Sequence, residues 1–238
     1  MKKRTLFTLF ILASLFSIAQ NNPAEVNILI KAYPTQDIRT DGNNIYLKDS
    51  IIIPHKDIAG IFSQPYRKGE IFVPGRNEDP GRIRSEELLK AMYGSTAKEV
   101  EKNLTTITWC PKLVGSKVRV SRINGADKQL QKISDELDKH PELKKYLTGA
   151  GTYNWRKIAG TDRLSAHSFG IAIDLNIKYS HYWQWDCRCK NEDVDLKYKN
   201  LIPQKIVDIF EKHGFIWGGK WYHYDTMHFE YRPELLTE

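Results

Sequence analysis

The sequence holds no apolar run long enough to cross a membrane. A spanning helix needs about 20 apolar residues in succession, and the run from Leu6 to Phe16 stops well short of that. That run follows Lys2, Lys3 and Arg4 and precedes the small-x-small triplet Ser17-Ile18-Ala19. Residues 1–19 therefore read as a signal peptide cleaved before Gln20, with no stable membrane insertion afterwards. No cysteine follows that cleavage site, which speaks against a lipid anchor there.

Cysteine is scarce, with three in all: Cys110, Cys187 and Cys189. An odd number permits at most one internal disulfide, and a structural zinc site would need four matched ligands. Export implies an oxidising compartment. A bridge from Cys110 to Cys187 or Cys189 is expected in preference to a strained one across Cys187-Arg188-Cys189. No stripe of Lys and Arg interleaved with aromatics is present. The formal charge of +7 loses three positive charges and no negative ones with residues 1–19, which leaves +4. That balance suits an anionic polymer and implies no nucleic-acid partner. No G-x-S-x-G elbow accompanies Ser165 or Ser168, so a serine hydrolase using His167 and Asp174 is not supported.

What is present is a chain able to fold. Hydrophobic residues make up 41%, with 12 Tyr, 9 Phe and 6 Trp, which excludes a disordered chain. Repeats and a separating linker are absent. The expected division is an N-terminal extension over residues 20–104, packed on a core over 105–238, together one continuous unit. Ile51-Ile52-Ile53-Pro54 reads as an edge strand stopped by proline, and Gly69 to Gly81 as loop. Ser85 caps a helix ending near Gly94. Residues 104–109 and 118–120 read as strands, and 149–156 as a turn followed by a strand. Amphipathic helices are expected over 127–139 and, opened by Pro203 at its first position, over 203–213.

The most informative stretch is Ser165-Ala166-His167-Ser168-Phe169-Gly170-Ile171-Ala172-Ile173-Asp174-Leu175-Asn176. From Gly170 on, Ile171, Ile173 and Leu175 alternate with Ala172, Asp174 and Asn176, the two-residue period of a strand. A carboxylate in such a strand is costly unless it is paired or metal-bound. His167 lies just before the strand. A second stretch, Asp225-Thr226-Met227-His228-Phe229-Glu230-Tyr231, puts His228 and Glu230 on one face of a last strand, with Asp225 just ahead. If the two strands pair antiparallel, about 4.8 Å apart, Asp174 and His228 reach one ion and His167 completes the set. Three protein ligands with a fourth position open to water is the arrangement of catalytic zinc. The neighbouring carboxylate, Asp225, can then take a proton and pass it to a leaving amine. His223 is one residue off the alternation and is not expected to bind metal. Glu230 is open to two readings, an orienting partner for His228 or a solvent contact. Trp183, Trp185, Trp217 and Trp221 are open to two as well, groove walls or core anchors.

Ser165-x-His167-x6-Asp174 followed by Asp225-x-x-His228 resembles the zinc D-alanyl-D-alanine carboxypeptidase and L-alanyl-D-glutamate peptidase family, the VanY- and VanX-like M15 peptidases. Those enzymes cut the peptides of bacterial cell walls. The resemblance runs from about Tyr153 to Arg232, with Trp155-Arg156 and Gly218-Gly219, and residues 20–105 carry no family motif. It implies His167, Asp174 and His228 as zinc ligands and Asp225 as general base. It also implies an arginine before the first ligand that holds substrate and polarises the scissile carbonyl. Arg156 matches that arginine best and Arg163 is the second candidate; Ser165 would hydrogen-bond substrate. VanX- and VanY-like members usually carry Glu in place of Asp225, and the Cys187/Cys189 insertion fits no common family pattern.

The resemblance implies an α+β fold: a small, mainly antiparallel sheet with flanking helices, as in Hedgehog and DD-peptidase zinc domains. Its implied activity is that of a secreted zinc metallopeptidase acting on peptidoglycan stem peptides, in the periplasm or outside the cell, as a D,D-carboxypeptidase. The alternatives are an L-alanyl-D-glutamate endopeptidase and, since Hedgehog domains share the fold and site, a non-catalytic zinc-bearing module that binds wall or a partner. Residues 66–85 and 179–199 are expected to wall the substrate groove. No oligomeric state is implied.

Overall fold

The computed structural model describes residues 22–48 and 51–237, so the expected signal segment 1–19 lies outside the described residues. Helix α1 (Ala24–Ala32) opens them and buries Val26 and Leu29. Strands β1 (Ile38–Thr40), β2 (Asn44–Leu47) and β3 (Ile51–Pro54) form an antiparallel sheet in that order. These strands are three or four residues long, too short for their alternation to stand out in the sequence. The edge strand expected at Ile51–Pro54 is β3; proline cannot donate to a further ladder bond, and the chain turns into helix α2 (His55–Ala59). Residues 69–81 are loop, as their composition indicates.

Polar caps set the next elements. The Ser85 hydroxyl accepts from the Leu88 amide at 3.1 Å and starts α3 (Glu86–Tyr93), which Gly94 ends at φ 124°. The Thr96 hydroxyl accepts from the Glu99 amide at 3.3 Å and starts α4 (Ala97–Lys102). Strands β4 (Leu104–Trp109) and β5 (Ser116–Ser121) pair antiparallel. Helix α5 (Ala126–Leu137), the amphipathic helix expected over 127–139, buries Leu130, Ile133 and Leu137, and a short α6 (Lys144–Leu147) follows.

The sheet that carries the candidate site consists of β6 (Ala172–Asp174), β7 (Phe215–Trp217) and β8 (His228–Tyr231), antiparallel in the order β6-β8-β7. Helix α7 (Trp183–Cys187) is the helical turn of the 179–199 insertion. Helix α8 (Gln204–Lys212) follows Pro203, which is its N-cap rather than its first helical residue. Helix α8 lies against β7, and the Phe210 ring stacks on Phe229 of β8 with centroids 3.9 Å apart. Helix α5 lies against α8 and the β4–β5 pair. The α+β class, with small antiparallel sheets and flanking helices, therefore holds.

Two expected elements differ. No strand forms over 149–156, beyond a bridge from Gly151 to Asp174. At its end the Ser168 hydroxyl serves Arg156, accepting from its amide at 2.9 Å and donating to its carbonyl at 2.8 Å, while the Asn154 amide donates to the His167 carbonyl. The strand expected from Gly170 is also shorter, because Gly170 has φ 67° and closes the turn over Ala166–Phe169. A Cβ at Gly170 would meet the Leu104 side chain at 2.5 Å and the Ser121 amide nitrogen at 3.2 Å. Gly170→Ala combines left-handed backbone strain with that overlap and is expected to cost about 2–4 kcal/mol. Urea unfolding of the metal-free protein reads this; a midpoint equal to wild type would contradict it.

The disulfide expectation is overturned. Cys187 and Cys189 are bonded, with Cα atoms 5.2 Å apart, and Cys110 is free and buried. Arg188 at φ 56° turns the chain back so that its two neighbours meet. Cys110 is fixed instead against α5, its amide donating to the Ser134 hydroxyl at 2.7 Å, and burial pushes its thiol up to about 12.

One apolar cluster runs from Val26 to Tyr231. Polar ties join the first hundred residues to the rest. The Tyr33 hydroxyl donates to Glu234, the Tyr66 hydroxyl donates to Glu211 at 2.6 Å, and Lys220 Nζ donates to the Arg67 and Gly69 carbonyls.

Candidate metal centre

Ser165 caps the short turn Ala166–Phe169, its hydroxyl facing the His167 amide at 3.4 Å. This turn buries His167 and aims its ring across the sheet. The His167 Nδ1 proton goes to the Thr152 carbonyl at 2.5 Å, so Nε2 faces the site with a lone pair. The register of β6 on β8 sets Asp174 directly opposite His228. His228 Nε2 donates to Glu230 Oε1 at 2.8 Å, which leaves Nδ1 toward Asp174 Oδ1, also at 2.8 Å. His167 Nε2 lies 3.1 Å from the same Asp174 oxygen and 3.2 Å from His228 Nδ1.

Three donor atoms thus stand at the corners of a small triangle, and no other group of three or more such side chains converges in this way among the described residues. Tetrahedral ligands about 2.0–2.1 Å from one ion stand about 3.3 Å apart. The observed separations of 2.8 to 3.2 Å are close to that. Two imidazole nitrogens and one carboxylate oxygen are also the donor types that suit borderline divalent ions. The residues present fit a metal ion.

Electrostatics agree. Burial disfavours the Asp174 carboxylate, but its close contacts with His167 and His228 hold it well below the usual carboxylate range. Burial opposes a proton on His228, yet its bonds to Asp174 and Glu230 prevail and push it up to about 10. Metal uptake would therefore expel the Nδ1 proton, and affinity should weaken as pH falls.

Asp225 lies just before β8, its amide donating to the Gly218 carbonyl at 3.0 Å. Gly218 admits that approach because a Cβ there would stand 2.6 Å from the Asp225 carbonyl oxygen. The Asp225 Oδ1 is buried without a hydrogen-bond partner. Burial is the main force raising its carboxyl to about 7; His228 opposes, Asp174 and Glu230 add to the rise, and Arg156 opposes. A carboxylate with this value beside a metal triad is poised to exchange protons near neutrality.

Arg156, Arg163, Ser165, Asp174, Asp225 and His228 all line one cleft of about 420 Å³. Arg156 and Arg163 are exposed, whereas Ser165 is buried and its hydroxyl is engaged as the cap. Both anticipated walls contribute, Arg82 and Arg84 from one and Tyr182 to Trp185 from the other. Trp221 lines the cleft too, but Trp217 sits in the core, its Nε1 donating to the Thr226 carbonyl. His223 stands apart from the triad, tied to Asp79 at 2.6 Å and to the Glu192 carbonyl at 2.9 Å.

Sequence reasoning missed Arg84. Glu230 is fully buried, and Arg84 grips both of its carboxylate oxygens, Nε at 2.9 Å and Nη2 on the other. Burial would raise the Glu230 carboxyl, but Arg84 and His228 hold it well below its ordinary value. Arg82-Ile83-Arg84 alternates as a strand would, yet nothing in its spacing points to Glu230.

Residues 159–231 match the model of an M15 peptidase family described as D-alanyl-D-alanine carboxypeptidase. The matched span contains the whole triad and Asp225 but begins after Arg84 and Arg156. No curated protein and no solved structure matches the chain.

Proposed function

We propose that this chain, whose residues 159–231 match an M15 peptidase model, is an exported zinc peptidase that hydrolyses peptidoglycan stem peptides, removing a terminal D-alanine as a D,D-carboxypeptidase. The observation that carries the reading is the preformed His167, Asp174 and His228 triangle opening on the same cleft as Asp225 and two exposed arginines.

His167 Nε2, His228 Nδ1 and Asp174 Oδ1 would hold the zinc ion. When bound, the ion supplies Lewis-acid polarisation and makes water acidic near neutral pH. Asp225, ionised, takes the proton of the attacking water and returns it to the leaving amine. Arg156 lies in the cleft as a fixed positive charge for the oxyanion of the tetrahedral intermediate. Arg163 anchors the free carboxylate of the substrate, for which a guanidinium offers two parallel donors. Ser165, whose oxygen caps the turn at His167, donates its hydroxyl proton to substrate at the mouth of the triad.

The same arginines also suit the acidic residue of an L-alanyl-D-glutamate bond, so the scissile bond is read directly. Purified protein is incubated with defined muropeptides, with zinc and with a chelator, and the products are weighed by mass spectrometry. The expected product is free D-alanine from pentapeptide stems, abolished by chelation and restored by zinc. Cleavage between L-alanine and D-glutamate would instead make the chain an endopeptidase. Binding without any cleavage would make it a zinc-bearing wall module.

A further inference from the structure

His228 is held from behind. Its Nε2 donates to Glu230 Oε1 at 2.8 Å, and Glu230 is itself fully buried. Arg84 meets Glu230 side-on, Nε to Oε2 at 2.9 Å and Nη2 to Oε1. The other nearby cation, Arg232, is 3.5 Å from Glu230 and is already engaged by Glu234 at 2.5 Å and by the Gly81 carbonyl at 3.1 Å. Arg84 therefore makes the close two-point contact, and it reaches the site from outside the matched segment 159–231.

We propose that Arg84 is a positioning residue of the metal centre: through Glu230 it fixes the ring of His228 and keeps Nε2 the donor, so that Nδ1 faces Asp174 and His167. A carboxylate gripped at both oxygens cannot rotate away from His228, and the imidazole cannot turn without losing that bond. Such outer hydrogen bonds orient metal-binding histidines, and their loss typically weakens metal binding about 10–100-fold. Lysine would hold one oxygen as a point charge and lacks the planar fork. The inference rests on the metal reading of the triad and not on which bond is cut.

The test uses the full chain without its signal segment, stripped of metal, and titrates it with zinc and with cobalt(II). Arg84→Gln is expected to weaken zinc affinity about 10–100-fold and to shift the visible cobalt(II) spectrum. Arg84→Lys should recover part of the affinity. Should Arg84→Gln fail to fold, Glu230→Gln is read in the same way and is expected to show the same loss, because an amide holds His228 without the charge. Wild-type affinity with an unchanged cobalt spectrum, in either folded variant, overturns the proposal. So does a lower unfolding temperature with affinity and spectrum intact, the mark of a merely structural ion pair. A wild-type protein that binds zinc tightly but cuts no muropeptide would sink the peptidase reading and leave this one standing.

Discussion

Asp225→Asn is expected to lower turnover about 10²–10⁴-fold while leaving metal content unchanged. The side chain lies outside the donor triangle, so the ion loses no ligand. Asparagine keeps the shape and lines the cleft in the same way, so substrate affinity should stay close to wild type. What disappears is a group able to accept and return a proton. The pH profile separates this from a packing defect. Burial raises the Asp225 carboxyl to about 7, and the base works only when ionised, so activity must climb as pH rises through that region. A bound cation beside it favours the charged form, which places the midpoint of the acidic limb at or below about 7. In Asp225→Asn the limb should vanish along with the rate. Full turnover in a zinc-loaded Asp225→Asn protein would show that another group moves the proton.

The part of the site that was legible in the sequence is the part encoded locally. Ile171, Ile173 and Leu175 alternate with Ala172 and Asp174, and a two-residue period assigns a face to each side chain before any partner strand is known. The same holds for His228 and Glu230, so pairing the two strands was enough to set Asp174 opposite His228. The cap at Ser85 and the amphipathic helix over Leu130, Ile133 and Leu137 are likewise short-range physics. What stayed hidden depends on distant partners. Arg84 and Glu230 are 146 positions apart, and an ion pair of that kind leaves no period in either segment. The Cys187–Cys189 bond depended on the left-handed Arg188, a conformation that arginine does not announce. The strand expected over 149–156 is broken up among scattered partners: Gly151 pairs with Asp174, the Asn154 amide donates to the His167 carbonyl, and the Ser168 hydroxyl serves Arg156.

On the proposed reading Asp174→Asn should have the larger consequence, because it would remove a metal ligand rather than a proton carrier. Its carboxylate is the only negative charge of the three donors and touches both histidines, at 2.8 and 3.1 Å. The amide that replaces it is neutral and donates as well as accepts, so a bound cation would lose its one anionic partner. The zinc dissociation constant should rise by more than the roughly 100-fold that loss of an outer hydrogen bond can cost. Activity should fall below detection at ordinary zinc concentrations. The fold should survive, since Asp174 is held by its backbone: its amide donates to the Gly151 carbonyl at 2.8 Å and its carbonyl accepts from the Gly151 amide at 3.0 Å. The two aspartate variants therefore divide the centre. Asp225→Asn should be inactive with zinc bound, and Asp174→Asn should be inactive because zinc is gone, with both giving a wild-type circular dichroism spectrum. Stoichiometric zinc in dialysed Asp174→Asn, measured by atomic emission, would remove Asp174 from the ligand set and leave its depressed carboxyl to be explained as a plain ion pair with the two histidines.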